Sequence, residues 1–141
     1  LDHSNINLNI DDEIFNNGYC LNVGNPHIIF FVKDCFKYDL KILGPKIENH
    51  GLFPEKVNVT FAQIVDKNNI IVNVWERGAG LTKACGTAAC ATAVASLLKK
   101  LTENDINIKF KEGTLNIKID RDLSIFMSGP VSDIKHTKLE V

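Results

Sequence analysis

Residues 76–101 read ERGAGLTKACGTAACATAVASLLKKL, and the second half of that stretch decides the fold. From Thr87 to Leu101 its main residue is alanine, the strongest intrinsic helix former, so a helix is expected there. Ala88, Ala89, Ala91, Ala93, Val94, Ala95, Leu97 and Leu98 cover nearly its whole circumference. A helix apolar all round has to be buried on all sides. One flat sheet covers a single face, so the expected partner is a sheet that curls around the helix, approached closely through small alanines.

The surrounding sequence supplies the strands. Residues 19–32, YCLNVGNPHIIFFV, are apolar and β-branched around a break at Gly24-Asn25-Pro26, which reads as two short strands and a turn. Residues 57–65 alternate, with Val57, Val59 and Phe61 on one face and Asn58 and Thr60 on the other. A turn at residues 66–69 returns the chain through 70–75 as a hairpin partner. After the helix, residues 106–110, 115–119 and 123–127 form three more alternating runs. Residues 39–49 suggest only a short helix or turn after Gly44, because Gly44-Pro45 interrupts the pattern. The expectation is an α+β fold: six or seven antiparallel strands curled as a barrel-like sheet around one buried central helix.

With 141 residues the chain has the length of one domain, residues 1–141, with enough apolar side chains for a core of its own. Apolar residues make up 45% and charged residues 23%, and the formal net charge of −1 gives no reason to expect nucleic acid or an anionic membrane as partner. The four cysteines, Cys20, Cys35, Cys85 and Cys90, lack the paired spacing of a zinc site, so no metal is expected. Reduced thiols in a cytoplasm are the simpler reading. The uncharged stretch Ala84 to Leu98 is shorter than the roughly 20 apolar residues of a membrane span. The chain starts at Leu1 with a polar segment, which suggests a piece of a longer protein.

Chemistry is expected at the helix start. The first turn of a helix leaves backbone N–H groups unpaired, and the aligned peptide dipoles add partial positive charge there, so an anion is favoured. No bulky side chain in ACGTAA (residues 84–89) blocks those amides. Gly86 permits close approach, Thr87 can cap the helix or bond a carboxylate, and the field favours the thiolate of Cys85. For Cys20, Cys35 and Cys90, plain burial is the better reading. Upstream, Arg77 suits a carboxylate held by two parallel hydrogen bonds, and Glu76 suits an ammonium group or a proton donor; a solvated pair on a turn is the bland alternative. Gly78-Ala79-Gly80 lacks the Lys-Ser/Thr pair of a phosphate loop, so nucleotide binding is rejected. Asn25 and His27 flank a loop proline, and Asn58 lies on the polar face of its strand, where solvent exposure is the ordinary expectation.

Taken together, GNPH (residues 24–27), GPKIENHGLFPEKVNV (44–59), WERGAGLTKACGTAACA (75–91) and the late SGP (128–130) resemble the C-terminal half of diaminopimelate epimerase, in that family's order along nearly the whole chain. The resemblance implies two similar domains, each a set of strands curled around a central helix. It also implies a reaction without cofactor, in which two cysteines on opposite sides of a carbon invert it. Position by position, Cys85 matches one of those cysteines. Gly86 and Thr87 match the holders of the reacting carboxylate, and Asn25, Asn58, Glu76 and Arg77 match substrate contacts. Arg77 is expected on the distal carboxylate, Glu76 near the distal amino group or a thiol, and His27 beside the thiols, assisting proton transfer.

The chain departs from the family pattern at Ala88, usually Gly, and at Leu81, usually acidic. The family's other cysteine belongs to a Cys-Gly-Asn-Gly type motif in the N-terminal half, and that motif does not occur here. The implied partners are diaminopimelate and the missing N-terminal domain, with a homodimer possible, and the chain alone is expected to be inactive. A proline-racemase-like or phenazine-biosynthesis-like isomerase is the alternative within the same architecture. A non-catalytic binding module is the alternative outside enzymology.

Overall fold

The computed structural model describes residues 3–11, 13–81, 85–111, 113–129 and 136–140, so residues 82–84 of the opening stretch and Pro130 of the late motif lie outside it. The elements run β1 (His3–Ile10), β2 (Glu13–Asn22), β3 (Pro26–Phe31), α1 (Leu40–Glu48), β4 (Asn58–Asp66), β5 (Asn69–Glu76), β6 (Gly80–Leu81), α2 (Gly86–Leu98), β7 (Asp105–Phe110), β8 (Gly113–Ile119), β9 (Ser124–Ser128) and β10 (His136–Glu140). All ten strands belong to one sheet in the spatial order β1-β2-β3-β4-β5-β7-β8-β9-β10, with β6 paired to β5. Among the described residues no pairing joins β1 to β10, so the sheet is open.

The α+β class is as expected, but the sheet is mixed rather than antiparallel. β3 and β4 pair in parallel, with His27 opposite Asn58, and β5 and β7 pair in parallel, with Ile70 opposite Ile108. Each parallel junction spans a segment that contains a helix, α1 in the first and α2 in the second. A crossover of that length carries the chain back to its starting end, which a tight turn cannot do. The remaining neighbours are antiparallel, including the β4/β5 hairpin and the β7-β8-β9 meander.

Helix α1 corrects a second expectation, because it runs straight through Gly44 and Pro45. The Asp39 carboxylate caps its start by accepting from the Lys41 amide at 3.0 Å. Gly44 is required by packing: a Cβ there would lie 2.4 Å from the Trp75 ring. Burial of Leu40, Gly44, Ile47 and Glu48 on one stripe offsets the hydrogen bond that Pro45 removes.

Helix α2 begins at Gly86 and ends at Leu98, three residues before the expected end, where Lys100 turns left-handed at φ 60. Every residue from Ala88 to Ser96 is buried. Its neighbours are β2, β3, β4, β7, β8 and β9. Strand side chains alternate between two cores. Ile29, Ala62, Val72 and Val74 face α2, whereas Ile28, Phe30, Val59 and Phe61 join Leu40 and Ile47 of α1. Because β3 and β4 are covered on both faces, Asn58 and Thr60 are buried at 2% and 0% exposure, and the solvent-facing reading of that face is wrong.

Candidate active site

Strand polarity gathers the expected residues at one end of the sheet. β4 starts beside the start of β3, and β5, running the other way, ends beside them, with Val59 opposite Trp75. Asn25 therefore precedes β3, His27 opens it, Asn58 opens β4, and Glu76 closes β5. After β6 the chain enters α2 through Cys85.

Four of these side chains form one hydrogen-bonded row. The Asn25 amide nitrogen donates to Thr87 Oγ1 at 3.4 Å, and Thr87 Oγ1 lies 3.5 Å from Cys85 Sγ. At the other end Asn25 Oδ1 lies 2.9 Å from His27 Nε2. An amide oxygen only accepts, so His27 carries its proton on Nε2 in this arrangement. Its Nδ1, then an acceptor, is buried without a hydrogen-bond partner among the described residues. His27 is 1% exposed, and burial, helped by the positive charge of Arg77, lowers it from the ordinary 6.5 to about 4. The ring is neutral at physiological pH.

A second row fixes the Glu76–Gly80 turn. Asn58 donates to the Pro26 carbonyl at 2.9 Å and accepts from the Arg77 amide at 2.7 Å, tying β3 to the turn. The exposed Arg77 guanidinium donates to the Glu55 carbonyl at 3.2 Å. Gly78 and Gly80 take φ 76 and φ 84, the left-handed region that permits so tight a reversal. Glu76 is half-buried, and its carboxylate belongs to neither row.

Cys85 occupies the position just before α2, in extended conformation, and its carbonyl accepts the Ala89 amide at 3.0 Å. Thr87 is the second residue of the helix and does not cap it, contrary to one of its two expected uses. The Gly86, Thr87 and Ala88 amides precede the first intrahelical bond, which is where a helix favours an anion. Cys85 itself is 8% exposed, so the expected open start of the helix is in fact narrow. Gly86 is crowded as well, since a Cβ there would stand 3.0 Å from Met127 Sδ.

Two further observations bear on the site. Burial pushes Cys20 and Cys35 up to about 11 and Cys90 to about 12, so these three are thiols at neutral pH. Among the described residues no group of three or more His, Cys, Asp and Glu could hold a metal, and no helix is long and apolar enough to cross a membrane.

One residue of the site was not singled out from the sequence. Glu48, only 6% exposed at the end of α1, accepts from Trp75 Nε1 at 2.8 Å and from the Gly78 amide at 3.2 Å. Its signal was a carboxylate on the stripe Leu40, Gly44, Ile47, Glu48, since a buried carboxylate needs donors. Breaking the helix at Gly44-Pro45 hid that stripe.

Two of the comparisons with known proteins name one family. A family model described as diaminopimelate epimerase matches residues 19–134. A diaminopimelate epimerase of Pelagibacter ubique is 61% identical over 124 residues, covering 88% of this chain and 45% of the relative. One from Rhodopseudomonas palustris strain TIE-1 is 47% identical over 121 residues, covering 85% of this chain and 41% of the relative. The chain therefore spans less than half the length of these curated relatives. Among solved structures, a phenazine biosynthesis protein of the PhzF family from Bacillus anthracis is similar with a TM-score of 0.53 and 21% identity, over 77% of this chain and 35% of that one, a likeness of fold alone.

Proposed function

The chain belongs to the diaminopimelate epimerase family, and from that membership we propose that it is the C-terminal half of an isomerase converting LL-diaminopimelate to meso-diaminopimelate. Residues 1–141 form one domain of two, and the sheet curls around α2, a reading supported by that helix's contacts with six strands. The second cysteine comes from an N-terminal half, so this half alone does not epimerise. The enzyme is cytoplasmic, in keeping with reduced thiols.

The chemistry follows from the acidity problem. A proton on a carbon next to an ionised carboxylate is weakly acidic, and its removal leaves charge that must be stabilised where it develops. Gly86 and Thr87, at the start of α2, hold that carboxylate on free amides, with the Thr87 hydroxyl beside them. Cys85, as thiolate, takes the α-proton and becomes a thiol, and the electron pair remains on the carbon and its carboxylate. A thiol on the opposite face then returns a proton and becomes the thiolate. The carbon is inverted, no net proton is consumed, and side chains carry both transfers.

Arg77 binds the distal carboxylate, while Glu76 meets the distal ammonium group or a catalytic thiol. Asn25 and Asn58 contact the same substrate, and His27 assists the proton transfers. The observation that carries the reading is the row joining Cys85, Thr87, Asn25 and His27 at 3.5, 3.4 and 2.9 Å.

The test joins this chain to its N-terminal half and follows deuterium entering the α-position of LL-diaminopimelate in heavy water. Exchange by the two-half enzyme, lost in Cys85→Ser, is expected. A folded two-half enzyme with no exchange, or one whose Cys85→Ser variant exchanges normally, would defeat the assignment.

A further inference from the structure

Glu48 stands outside the residues matched to the family's site, yet it is the buried carboxylate closest bound to the turn that carries Arg77. Its two oxygens are divided between two donors: Oε1 accepts the Trp75 indole N–H at 2.8 Å and Oε2 accepts the Gly78 amide at 3.2 Å. Gly44, one helical turn earlier on α1, makes room for the same indole, because any Cβ there would meet the ring at 2.4 Å. On the returning turn, a Cβ added at Gly80 would lie 3.5 Å from the same ring. Trp75 thus packs on α1 at Gly44, and the Glu48 carboxylate joins its indole N–H to the returning turn.

The anchoring is paired. Two successive amides, those of Arg77 and Gly78, each end on a side-chain acceptor from a different element: Asn58 of β4 takes the first and Glu48 of α1 the second. With both amides held, the peptide between Arg77 and Gly78 cannot rotate, and that fixes where the Arg77 side chain leaves the backbone. Among the described residues the exposed guanidinium is held by one carbonyl, that of Glu55. Its aim therefore comes from the backbone.

We infer that Glu48 is a positioning residue for substrate recognition, whose carboxylate clamps the Trp75 indole and the Gly78 amide so that Arg77 points at the distal end of the substrate. The role rests on the epimerase reading for what Arg77 binds; the clamp itself does not. Glu48 touches no reacting atom, and its loss should weaken binding more than it slows proton transfer.

Glu48→Gln tests the clamp, because the amide keeps one acceptor and turns an NH2 group toward one of the two donors. In the two-half enzyme the expected result is a KM for LL-diaminopimelate raised about tenfold or more, the scale of a lost hydrogen bond to a charged group, with kcat within about threefold. Hydrogen exchange of the Gly78 amide should accelerate in the same variant, read without substrate. In Trp75→Phe/Glu48→Gln no indole N–H competes, so the glutamine oxygen is free for Gly78, and both the slow exchange and the low KM should largely return. Unchanged Gly78 exchange in Glu48→Gln, or a fall in kcat at constant KM, overturns the inference. If wild-type enzyme shows no turnover while Glu48→Gln still speeds Gly78 exchange, the epimerase reading has failed and the clamp stands. Should Glu48→Gln fold poorly, the double variant against Trp75→Phe alone carries the same comparison, and equal Gly78 exchange in wild type, Trp75→Phe and the double variant is then the expected result. Faster exchange in the double variant than in Trp75→Phe sinks the proposal.

Discussion

The Nε2 atom of His27 lies 2.9 Å from Asn25 Oδ1, and the amide nitrogen of the same Asn25 points at Thr87 Oγ1. That orientation gives the row a direction. His27 donates to Asn25, Asn25 donates to Thr87, and Thr87 Oγ1 lies 3.5 Å from Cys85 Sγ, where the hydroxyl or a thiol can donate. In the proposed thiolate step the hydroxyl is the donor and the sulfur accepts. Thr87→Val removes that donor at nearly constant volume. Alkylation of Cys85 at neutral pH and α-hydrogen exchange by the two-half enzyme should both fall about tenfold or more, on the scale of one charge-assisted hydrogen bond, while Thr87→Ser keeps both. Equal rates for valine and threonine would remove the relay.

The buried His27 also makes a prediction about stability against pH. Its folded value is about 4 against an ordinary 6.5, lowered first by burial and then by Arg77. Between those values the unfolded chain binds a proton that the folded chain does not, so stability falls as pH falls from about 6.5 toward 4. Above about 6.5 both states hold a neutral ring and the term vanishes. The full difference is roughly 3 kcal/mol. Urea midpoints measured from pH 7 down to 4 should show this slope in wild type and a flatter one in His27→Gln. Parallel slopes in the two proteins would mean that His27 is not the titrating group.

Thiol labelling separates exposure from chemistry. Cys20 is half-exposed and Cys85 only 8% exposed, so access alone ranks Cys20 first. Burial holds Cys20 near 11, however, and a thiol is a poor nucleophile. Cys85 has the helix start and the Thr87 hydroxyl beside it. With a small alkylating agent at neutral pH, peptide mapping should find Cys85 modified ahead of Cys20, and Cys35 and Cys90 modified last. Labelling in the order of exposure would remove the helix-start argument.

What could be read from the sequence follows from what each segment had to satisfy alone. Helix α2 was legible because alanine on every side admits only a buried helix, and the β4/β5 hairpin was legible because alternation flanks a turn. The parallel junctions were not, because pairing partners far apart in the chain leave no local trace. β1 was missed although Ile6, Leu8 and Ile10 alternate with asparagines, since Asn is a poor strand former on propensity. In the structure Asn17 pairs with that strand, donating its amide to Asn7 Oδ1 at 2.9 Å and accepting from Asn5 at 3.2 Å. Of the site, Cys85, Thr87, Asn25, His27, Asn58 and Arg77 come together in two hydrogen-bonded rows. The bland solvent-facing alternative for Asn58 fails because burial of both faces depends on α1 and α2 packing on opposite sides of β4, which one strand's pattern cannot reveal.

Gly86 offers a test in which the fold and the site respond differently. A Cβ there would lie 3.0 and 3.1 Å from Met127 Sδ and Cε, the flexible end of a side chain that can give way. Alanine is also the better helix former, by up to about 1 kcal/mol, so Gly86→Ala should leave the thermal midpoint within a few degrees. The new methyl nevertheless tilts toward the N-terminus of α2, as every helical Cβ does, into the space before the free amides. KM for LL-diaminopimelate should rise about tenfold, on the scale of one lost charge-assisted hydrogen bond, in the two-half enzyme. Met127→Ala added to Gly86→Ala tells the two causes apart. If the displaced methionine were responsible, the second change would restore binding; if the methyl excludes the carboxylate, KM stays high. A Gly86→Ala enzyme with wild-type KM would show that the substrate carboxylate does not sit on these amides.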